Sequence, residues 1–386
     1  MTIYIIVLLA MLNQVALKGS KMLLALYAIE LGAGPLAIGF LVALYAVFPL
    51  VLAVFAGKVS DRFGVRWPMV FGSIGLSLGL AAPPLFPGLQ TLYLSPIAIG
   101  FAWIFFHVSS HNLVGSLGDA GTRTRNFGTF SLGAAVSGVI GPLLTGFAVE
   151  SLGHLATYVC LAIIAAAPGV ILLLWPGALP AHPRKEQRTQ DQSVMDLLGN
   201  AALRRTLITS GMILTGIELY TFYVPIFGHS IGLSAPQIGI ILGMQAAAAF
   251  AVRWWMPALV RRFNEEKILT ASLFVAALTY LLFPLFRDAT ALAAISFVLG
   301  LGLGCGQPLS IVLTYNYSPP GRAGEALGLR LTVNKLTQIA VPLLFGSLGA
   351  AFGLYPVFWS NAALLAAGGY LNARQKPTAD PPHRRT

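Results

Sequence analysis

The stretch PLLTG at residues 142–146 recurs as PLLFG at residues 342–346, an offset of 200 residues. The same offset relates other positions along the chain: Ile38 and Gly39 to Ile238 and Gly239, Arg62 and Phe63 to Arg262 and Phe263, and Gly128 to Gly328. The repeated unit is half of the chain, far longer than the roughly 20 to 50 residues of solenoid repeats. We therefore expect a working site between two similar halves.

The composition is typical of a chain that lies in lipid, with 56% hydrophobic and 10% charged residues and a mean hydropathy of +0.78. Twelve apolar stretches, six in each half, are long enough to cross about 30 Å of hydrocarbon. They cover residues 3–30, 35–57, 67–87, 91–116, 127–150, 153–175, 205–229, 235–256, 267–287, 289–315, 326–350 and 354–373. The sequence predicts an all-α integral membrane protein of two pseudo-two-fold-related six-helix bundles. Its predicted parts are a bundle at 1–176, a linker at 177–204, a bundle at 205–373 and a tail at 374–386.

The distribution of basic residues predicts the topology. Of the 24 Lys and Arg residues, eighteen fall on the side that holds both termini and the even-numbered connections, against Arg287 alone on the other side. The positive-inside rule makes the first side cytoplasmic, so we expect a multi-pass protein of the inner (cytoplasmic) membrane with both termini in the cytoplasm. The net charge of +11 is then explained by the topology, and it favours contact with anionic lipid. Nucleic acid is not an expected partner.

Signs of enzymatic or cofactor chemistry are missing from the sequence. Cys160 and Cys305 both lie in apolar spans, which argues against a disulfide framework or a metal cluster. No phosphate-binding G-x-x-x-x-G-K-[ST] motif occurs, and the polar segments are too short for a nucleotide domain. We expect a protein that is not an enzyme, carries no cofactor or metal, and draws energy from an ion or solute gradient.

The loop after the second span, GKVSDRFGVR at residues 57–66, resembles the signature loop of the major facilitator superfamily. The likeness extends over residues 3–373. Val65 stands where the family pattern has a basic residue. The weaker copy of this loop in the second half has Arg261 and Arg262 but no equivalent of Asp61. The resemblance implies that the Asp61 carboxylate meets the N-terminus of span 11 when the bundles close on the cytoplasmic side. The predicted conformational gate comprises Gly57, Asp61, Arg62, Gly64 and Arg66. A solvated turn whose charges only set the topology is the alternative.

Residues 137–146, reading SGVIGPLLTG, resemble the span-5 signature of drug/proton antiporters. Ser137 and Thr145 stand where that signature prefers glycine. Small residues at this spacing also serve any close helix contact, and the recurrence of Pro342 and Gly346 favours that structural interpretation.

Ionisable residues inside spans are expensive in hydrocarbon and usually face a cavity. Span 1 carries Gln14, Lys18 and Lys21 on one helical face, whereas the clear acid near the middle of a span is Glu218. The repeat makes Glu218 the equivalent of Lys18, so we predict a pair between them across the pseudo-two-fold axis. The resemblance places spans 1, 4, 7 and 10 around the cavity, and with them His107 and its equivalent Gln307. The predicted substrate-binding residues are Gln14, Lys18, Lys21, Tyr45, His107, His111, Glu218, Gln307 and Arg330.

An excess of buried cations over anions favours an anionic substrate, because its carboxylate or phosphate replaces the water that an ammonium group lost. Five aromatic residues are candidates for an apolar lining: Tyr45, Phe48, Trp103, Phe222 and Tyr223. The alternatives are structural: Arg253 can snorkel to lipid phosphate, Arg330 can serve the gate, and the histidines can be packing residues.

The predicted function is transport of a small organic anion by a monomer that alternates access, with Glu218 and His107 as the proton-coupling groups. The expected partners are the substrate, protons or a counter-solute, and the lipid bilayer. Symport, antiport and facilitated diffusion remain open. The alternative function is proton-driven efflux of drugs and other amphiphiles; a sensor or lipid-moving role is a third hypothesis.

Overall fold

The computed structural model describes residues 2–117, 120–175, 177, 179, 194–319 and 323–374, without the side chains of residues 2, 54, 61, 120–125, 194, 195, 257 and 323–325. Twelve long helices make up almost all of this part of the chain. They are α1 (Thr2–Glu30), α2 (Pro35–Phe63), α3 (Arg66–Leu85), α4 (Leu89–Ser116), α5 (Ala120–Leu152), α6 (His154–Leu174), α7 (Ala201–Ser230), α8 (Ala235–Phe263), α9 (Glu265–Leu282), α10 (Ala289–Asn316), α11 (Ala323–Phe352) and α12 (Leu354–Ala373).

The predicted all-helical membrane fold is confirmed. Eleven of the twelve helices are long and apolar enough to cross a bilayer. The exception is α12, which contains the buried Asn361 and Asn372 and packs against α9 and α7. Asn372 donates to the Glu266 carbonyl oxygen at 3.0 Å and to the Thr270 hydroxyl at 2.7 Å, so its polar amide is satisfied inside the bundle.

Several helices are longer than the hydropathy predicts. Helices α2 and α8 continue to Phe63 and Phe263, well past the predicted ends at residues 57 and 256. The added turns carry arginines such as Arg62 and Arg262, which end the apolar stretch without ending the helix. Hydropathy marks where a helix leaves the hydrocarbon, whereas the backbone hydrogen bonds continue into the polar boundary.

The linker is only partly described. Residues 194–199 form a short 3₁₀ helix, and Asn200 caps α7 by accepting from the backbone N–H groups of Ala202 and Leu203. The sequence predicts a short amphipathic helix from Val194 to Arg205 on the cytoplasmic surface, and the structure divides that segment in two at Asn200. The basic linker residues Arg184, Lys185 and Arg188, and the tail beyond residue 374, lie outside the described part of the chain.

Each half packs as one six-helix bundle, and the two bundles meet through α2 with α11, α5 with α8, and α1 with α7. Odd-numbered helices begin, and even-numbered helices end, on the side that holds the start of α1 and the end of α12. We call this the termini side, and the opposite side, where Glu30 and Pro35 lie, the far side. A 3₁₀ turn at Phe283–Leu285 extends α9 on the far side.

The repeated small residues are where the two bundles touch most closely, on the far half of the molecule. Gly39 of α2 lies directly against the Pro342 carbonyl of α11, and Gly239 of α8 lies against the Pro142 carbonyl of α5. A Cβ atom on Gly239 would be 2.6 Å from the Pro142 oxygen, a distance at which the helices must separate. These contacts explain the repeat at PLLTG and PLLFG: each is half of a glycine-on-proline contact between bundles. They also bear out the structural interpretation of residues 137–146.

The same helices are not in close contact on the termini side. Gly128 of α5 and Gly328 of α11 both have open space where a side chain would project. The nearest neighbour of Gly57 near the end of α2 is Val108 of its own bundle, 3.9 Å from where a Cβ would lie. The bundles are thus closed against each other on the far side and diverge toward the termini side.

We expect Gly39→Ala to lower the thermal stability of the purified protein although alanine is the better helix former. Gly328→Ala is the matched control in open space, where the same change adds up to about 1 kcal/mol of helix stability. The test compares the unfolding temperatures of both variants with that of the wild type in the same detergent. Equal or higher stability of Gly39→Ala would show that the α2 and α11 backbones do not need this close approach.

Candidate functional site

A cavity of about 250 Å³ lies between the two bundles. It receives side chains from α1, α2, α4, α7 and α11, so that both halves contribute, as the repeat predicts. Its lining residues are Gln14, Leu17, Lys18, Lys21, Val42, Tyr45, Ala46, Gly100, Trp103, His107, Glu218, Lys335 and Gln338. The expected contribution of α10 is not found: α11 supplies the lining residues on that wall.

One ion pair joins the two bundles across this cavity. The Lys21 ammonium group of α1 donates to Glu218 Oε2 of α7 at 3.0 Å, with the side chains 16% and 10% exposed. The predicted pair of Lys18 with Glu218 is therefore wrong. Lys18 lies one turn nearer the termini side, and the base of its side chain is held against Gly141 of α5. Equivalent positions of a repeat face each other only on the pseudo-two-fold axis, and Lys21 occupies the place opposite Glu218.

The second oxygen of Glu218 extends this interaction to α11. Gln338 Nε2 donates to Glu218 Oε1 at 3.0 Å, and Gln338 Oε1 accepts from the Lys335 ammonium group at 2.9 Å. A continuous polar chain thus runs from Lys21 through Glu218 and Gln338 to Lys335. Both carboxylate oxygens are used, so a change in the charge of Glu218 acts on α1, α7 and α11 together.

An aromatic column lines the opposite wall along α4. The Lys335 ammonium group lies 5.2 Å from the centre of the Trp103 ring, a cation–π contact. The Trp103 ring stacks on His107 with centroids 4.2 Å apart, and His107 meets His111 edge-on at 4.2 Å. His111 Nδ1 lies 2.9 Å from the His107 carbonyl oxygen, and its ring packs on Phe130 of α5. His107 therefore faces the cavity, whereas His111 is directed toward α5.

The cavity lining is positively charged. It contains the ammonium groups of Lys18, Lys21 and Lys335 and the single carboxylate of Glu218, a net charge of +2 with His107 neutral. Among the described residues, Lys18 has neither an ion pair nor a side-chain hydrogen bond. Burying an ammonium group without a partner is costly, so an arriving anion gains by pairing with it.

The remaining predicted binding residues divide between the cavity and the helix packing. Gln14 and Tyr45 line the cavity, and the Tyr45 hydroxyl donates to Ser20 Oγ at 3.1 Å. Arg330 lies outside it, where its guanidinium donates to Ser310 Oγ at 2.7 Å and to the side chain of Gln307. Gln307 and Arg330 thus join α10 to α11 in this structure. Neither residue faces the cavity.

Sequence reasoning chose the wrong face of α11. Lys335 and Gln338 line the cavity in place of Arg330, which lies about 140° around the helix from Lys335 at about 100° per residue. Their spacing of three residues, which puts a cation and an amide on one face of an apolar helix, was the available signal. Of the five aromatic candidates, Tyr45 and Trp103 line the cavity. Phe222 and Tyr223 are buried, the latter donating to the Phe345 carbonyl oxygen at 2.6 Å, and Phe48 packs on Phe101.

The motif at residues 57–66, expected as a loop, is mostly helical: it comprises the last turns of α2, a two-residue turn at Gly64 and Val65, and the first residue of α3. Gly64 has φ +77°, a conformation that favours glycine, and its repeat equivalent Asn264 has φ +59°. Arg66 Nε donates to the Leu172 carbonyl oxygen at the end of α6 at 2.9 Å, and the exposed Arg62 lies over Phe63. The side chain of Asp61 lies outside the described part of the structure. Arg66 therefore ties α3 to α6 within one bundle, and the gate with α11 stays a prediction.

We expect Glu218→Gln to destabilise the protein by up to about 3 kcal/mol, because Lys21 is left charged and without its partner. The double variant Lys21→Gln with Glu218→Gln should recover most of that loss, since two neutral amides can hydrogen-bond to each other. A double-mutant cycle of thermal or denaturant unfolding gives the coupling. Strictly additive effects of the two changes would contradict the ion pair.

Known proteins resemble this chain over more than four fifths of its length. The tetracycline resistance protein, class C, of Escherichia coli is 26% identical over 328 residues, which cover 81% of this chain and 80% of that protein. Multidrug resistance protein MdtG of Dickeya zeae is 23% identical, covering 88% and 85% of the two chains. Quinolone resistance protein NorA of Staphylococcus aureus is also 23% identical, covering 89% and 88%.

Solved structures share the fold. The nucleoside transporter NupG superposes with a TM-score of 0.81 at 13% identity, covering 97% of this chain and 99% of that chain. A bacterial homologue of the human lysosomal transporter Spinster, in an inward-facing and occupied conformation, superposes with a TM-score of 0.80 at 12% identity over 97% and 98%. The family model of the Major Facilitator Superfamily matches residues 6–334 and 266–386. Two repeated six-helix bundles, a cavity between them and this match together show that the chain belongs to the major facilitator superfamily of membrane transporters.

Proposed function

We propose that this transporter moves a small organic anion by alternating access and couples that movement to protons. The observation that carries the proposal is the charge of the cavity, where three lysines face one glutamate. Lys18 is the cation that we assign to the substrate, because Lys21 and Lys335 are already engaged with Glu218 and Gln338. A carboxylate or phosphate group on Lys18 supplies the ion pair that this buried ammonium group lacks among the described residues.

The size and lining of the cavity support a small substrate with a carbon skeleton. Its volume of about 250 Å³ is below the roughly 300 to 1,000 Å³ of sites for drug-sized ligands. Trp103 and Tyr45 offer flat apolar surfaces on two walls, while Gln14 offers an amide. An organic acid fits these features better than a bare inorganic ion.

Proton coupling is proposed to involve Glu218 and His107. An anion bound at Lys18 brings a second negative charge close to Glu218 and competes for the Lys21 ammonium group, and both effects favour uptake of a proton by the carboxylate. Since Glu218 bonds to α1 and α11 through both oxygens, its protonation releases a connection between the bundles. His107 is the second candidate, because it lines the cavity and can exchange a proton with water or substrate there. Its ring stacks on Trp103, the same side chain that the Lys335 ammonium group contacts.

The alternating-access cycle follows from the asymmetry of the two sides. We assign the termini side to the cytoplasm from the basic residues, so the far-side closure at Gly39 and Gly239 makes this an inward-open state. In the opposite state we expect Asp61 and Arg62 to meet the start of α11, with Gly57 and Gly64 allowing the close approach. We further propose that the protein works as a monomer in the inner membrane, because the cavity is complete within one chain.

Drug efflux is the second candidate. The names of the relatives concern tetracycline, quinolone and multidrug resistance, and Glu218 is an acid inside the membrane region that can carry a proton or meet a cationic drug. The two candidates differ in the required sign of the charge in the cavity. Cationic drugs need an acid that is not paired, whereas Glu218 is paired with Lys21.

The two functions are separated by a transport assay with a mixture of solutes. Proteoliposomes preloaded with organic anions, organic cations and neutral amphiphiles are diluted into buffers of higher or lower pH, and the retained solutes are measured by mass spectrometry. We expect anions alone to move faster than in protein-free liposomes, at a rate that depends on the pH gradient. Lys18→Gln should slow them at least about tenfold and Lys18→Arg much less, because a charge-assisted contact contributes about 1.5–3 kcal/mol.

The control variant is Arg287→Gln, which removes an exposed cation outside the cavity and should transport like the wild type. Movement of cations or neutral amphiphiles with no effect of Lys18→Gln would contradict the anion proposal and support drug efflux. Anion movement that ignores the pH gradient would contradict proton coupling alone.

A further inference from the structure

Two apolar grooves open on the outer surface of the bundles, away from the central cavity. The first, about 620 Å³, lies between α8, α9 and α10, and the second, about 360 Å³, lies between α2, α3 and α4. The α8–α10 groove is lined by Val252, Leu259, Phe263, Lys267, Ile268, Ala271, Ser272, Val275, Val298, Leu301, Gly302 and Cys305. The α2–α4 groove is lined by Phe55, Val59, Phe63, Trp67, Pro68, Phe71 and Phe105.

The two grooves are equivalents in the repeat. Six of the seven residues that line the α2–α4 groove have their counterpart 200 residues later in the lining of the α8–α10 groove, at positions 59, 63, 67, 68, 71 and 105. The difference in volume also has a plain cause. Ala271 stands where the first half has Phe71, and Cys305 where it has Phe105, so smaller side chains leave a larger space.

Each groove begins on the termini side, where α2 or α8 extends past its apolar stretch, and continues along the apolar helices α3 and α4 or α9 and α10. Phe63 and Trp67 are 60% and 58% exposed, as expected for side chains that contact lipid rather than water. The α8–α10 groove continues along α9 from Lys267 to Val275, about 12 Å at 1.5 Å per residue. That length is most of one leaflet of a hydrocarbon core about 30 Å thick.

A cation sits over the aromatic rim of each groove. The Arg262 guanidinium lies 5.3 Å from the centre of the Phe263 ring, and Arg62 lies 5.4 Å from that of Phe63. Lys267 adds an ammonium group to the lining of the α8–α10 groove. The acids close by are Glu265 and Glu266 at the start of α9, and Glu266 already accepts a hydrogen bond from the Tyr317 hydroxyl.

We propose that each groove binds an acyl chain of an anionic phospholipid from the leaflet on the termini side, with the lipid phosphate on the rim arginine. The apolar walls take the chain, and Arg262 with Lys267, or Arg62 in the first half, takes the negative headgroup. The larger α8–α10 groove is the tighter site, since it offers both more space and a second cation. The arginines repeated at the ends of α2 and α8 then bind lipid in addition to setting topology.

Native mass spectrometry of the purified transporter, titrated with dioleoylphosphatidylglycerol or dioleoylphosphatidylcholine, tests the proposal at the α8–α10 groove. We expect the wild type to retain phosphatidylglycerol in preference to phosphatidylcholine. Arg262→Gln should weaken phosphatidylglycerol binding about fivefold, the effect of one cation near an anionic headgroup. Ala271→Phe copies the residue of the first half into the groove and should weaken binding of either lipid there by filling the space.

Arg374→Gln is the matched control, because Arg374 also lies over an aromatic ring on the termini side, that of Tyr370, but lines neither groove. It should leave lipid binding unchanged. Equal retention of the two lipids by the wild type would overturn the headgroup assignment. Unchanged binding in both Arg262→Gln and Ala271→Phe, or an equal loss in Arg374→Gln, would overturn the groove as the site.

Discussion

The close approach of backbone between the two bundles is the constraint on which the rest of the structure depends. Gly39 against Pro342 and Gly239 against Pro142 bring α2 onto α11 and α5 onto α8 without side chains between them. This approach brings α1, α7 and α11 near enough for Lys21 and Gln338 to reach one carboxylate. The repeat thus encodes both the symmetry of the fold and the contact that encloses the cavity.

Charge in a poorly solvated space is the second constraint, and it connects the fold to transport. Glu218 is held by groups from both bundles, so the polar chain from Lys21 to Lys335 is also a mechanical connection between them. The polar chain itself keeps one positive charge, and Lys18 adds a second, which together make the net charge of +2 in the cavity. A ligand that supplies the missing negative charge changes the electrostatics of both bundles at once, which is what coupling of binding to a rocking motion requires.

The fold was predictable from the sequence because span lengths and a 200-residue repeat are properties of the chain itself. The ends of the helices were less predictable, because an arginine such as Arg62 ends the apolar stretch while the helix itself continues through it. In the site, the presence of cations and of Glu218 could be predicted, but the pairing could not. Whether Lys18 or Lys21 reaches Glu218 depends on the rotation of α1 against α5, and the choice of Lys335 over Arg330 depends on which face α11 turns inward.

Thermal unfolding of the purified transporter, across a panel of organic anions, cations and neutral amphiphiles, tests the charge of the binding site most directly. A ligand that binds the folded state alone raises its stability in proportion to ln(1 + [L]/Kd). The account predicts that anions alone stabilise the wild type and that the shift is lost in Lys18→Ala. Stabilisation by cations or neutral amphiphiles, unchanged in Lys18→Ala, would contradict it.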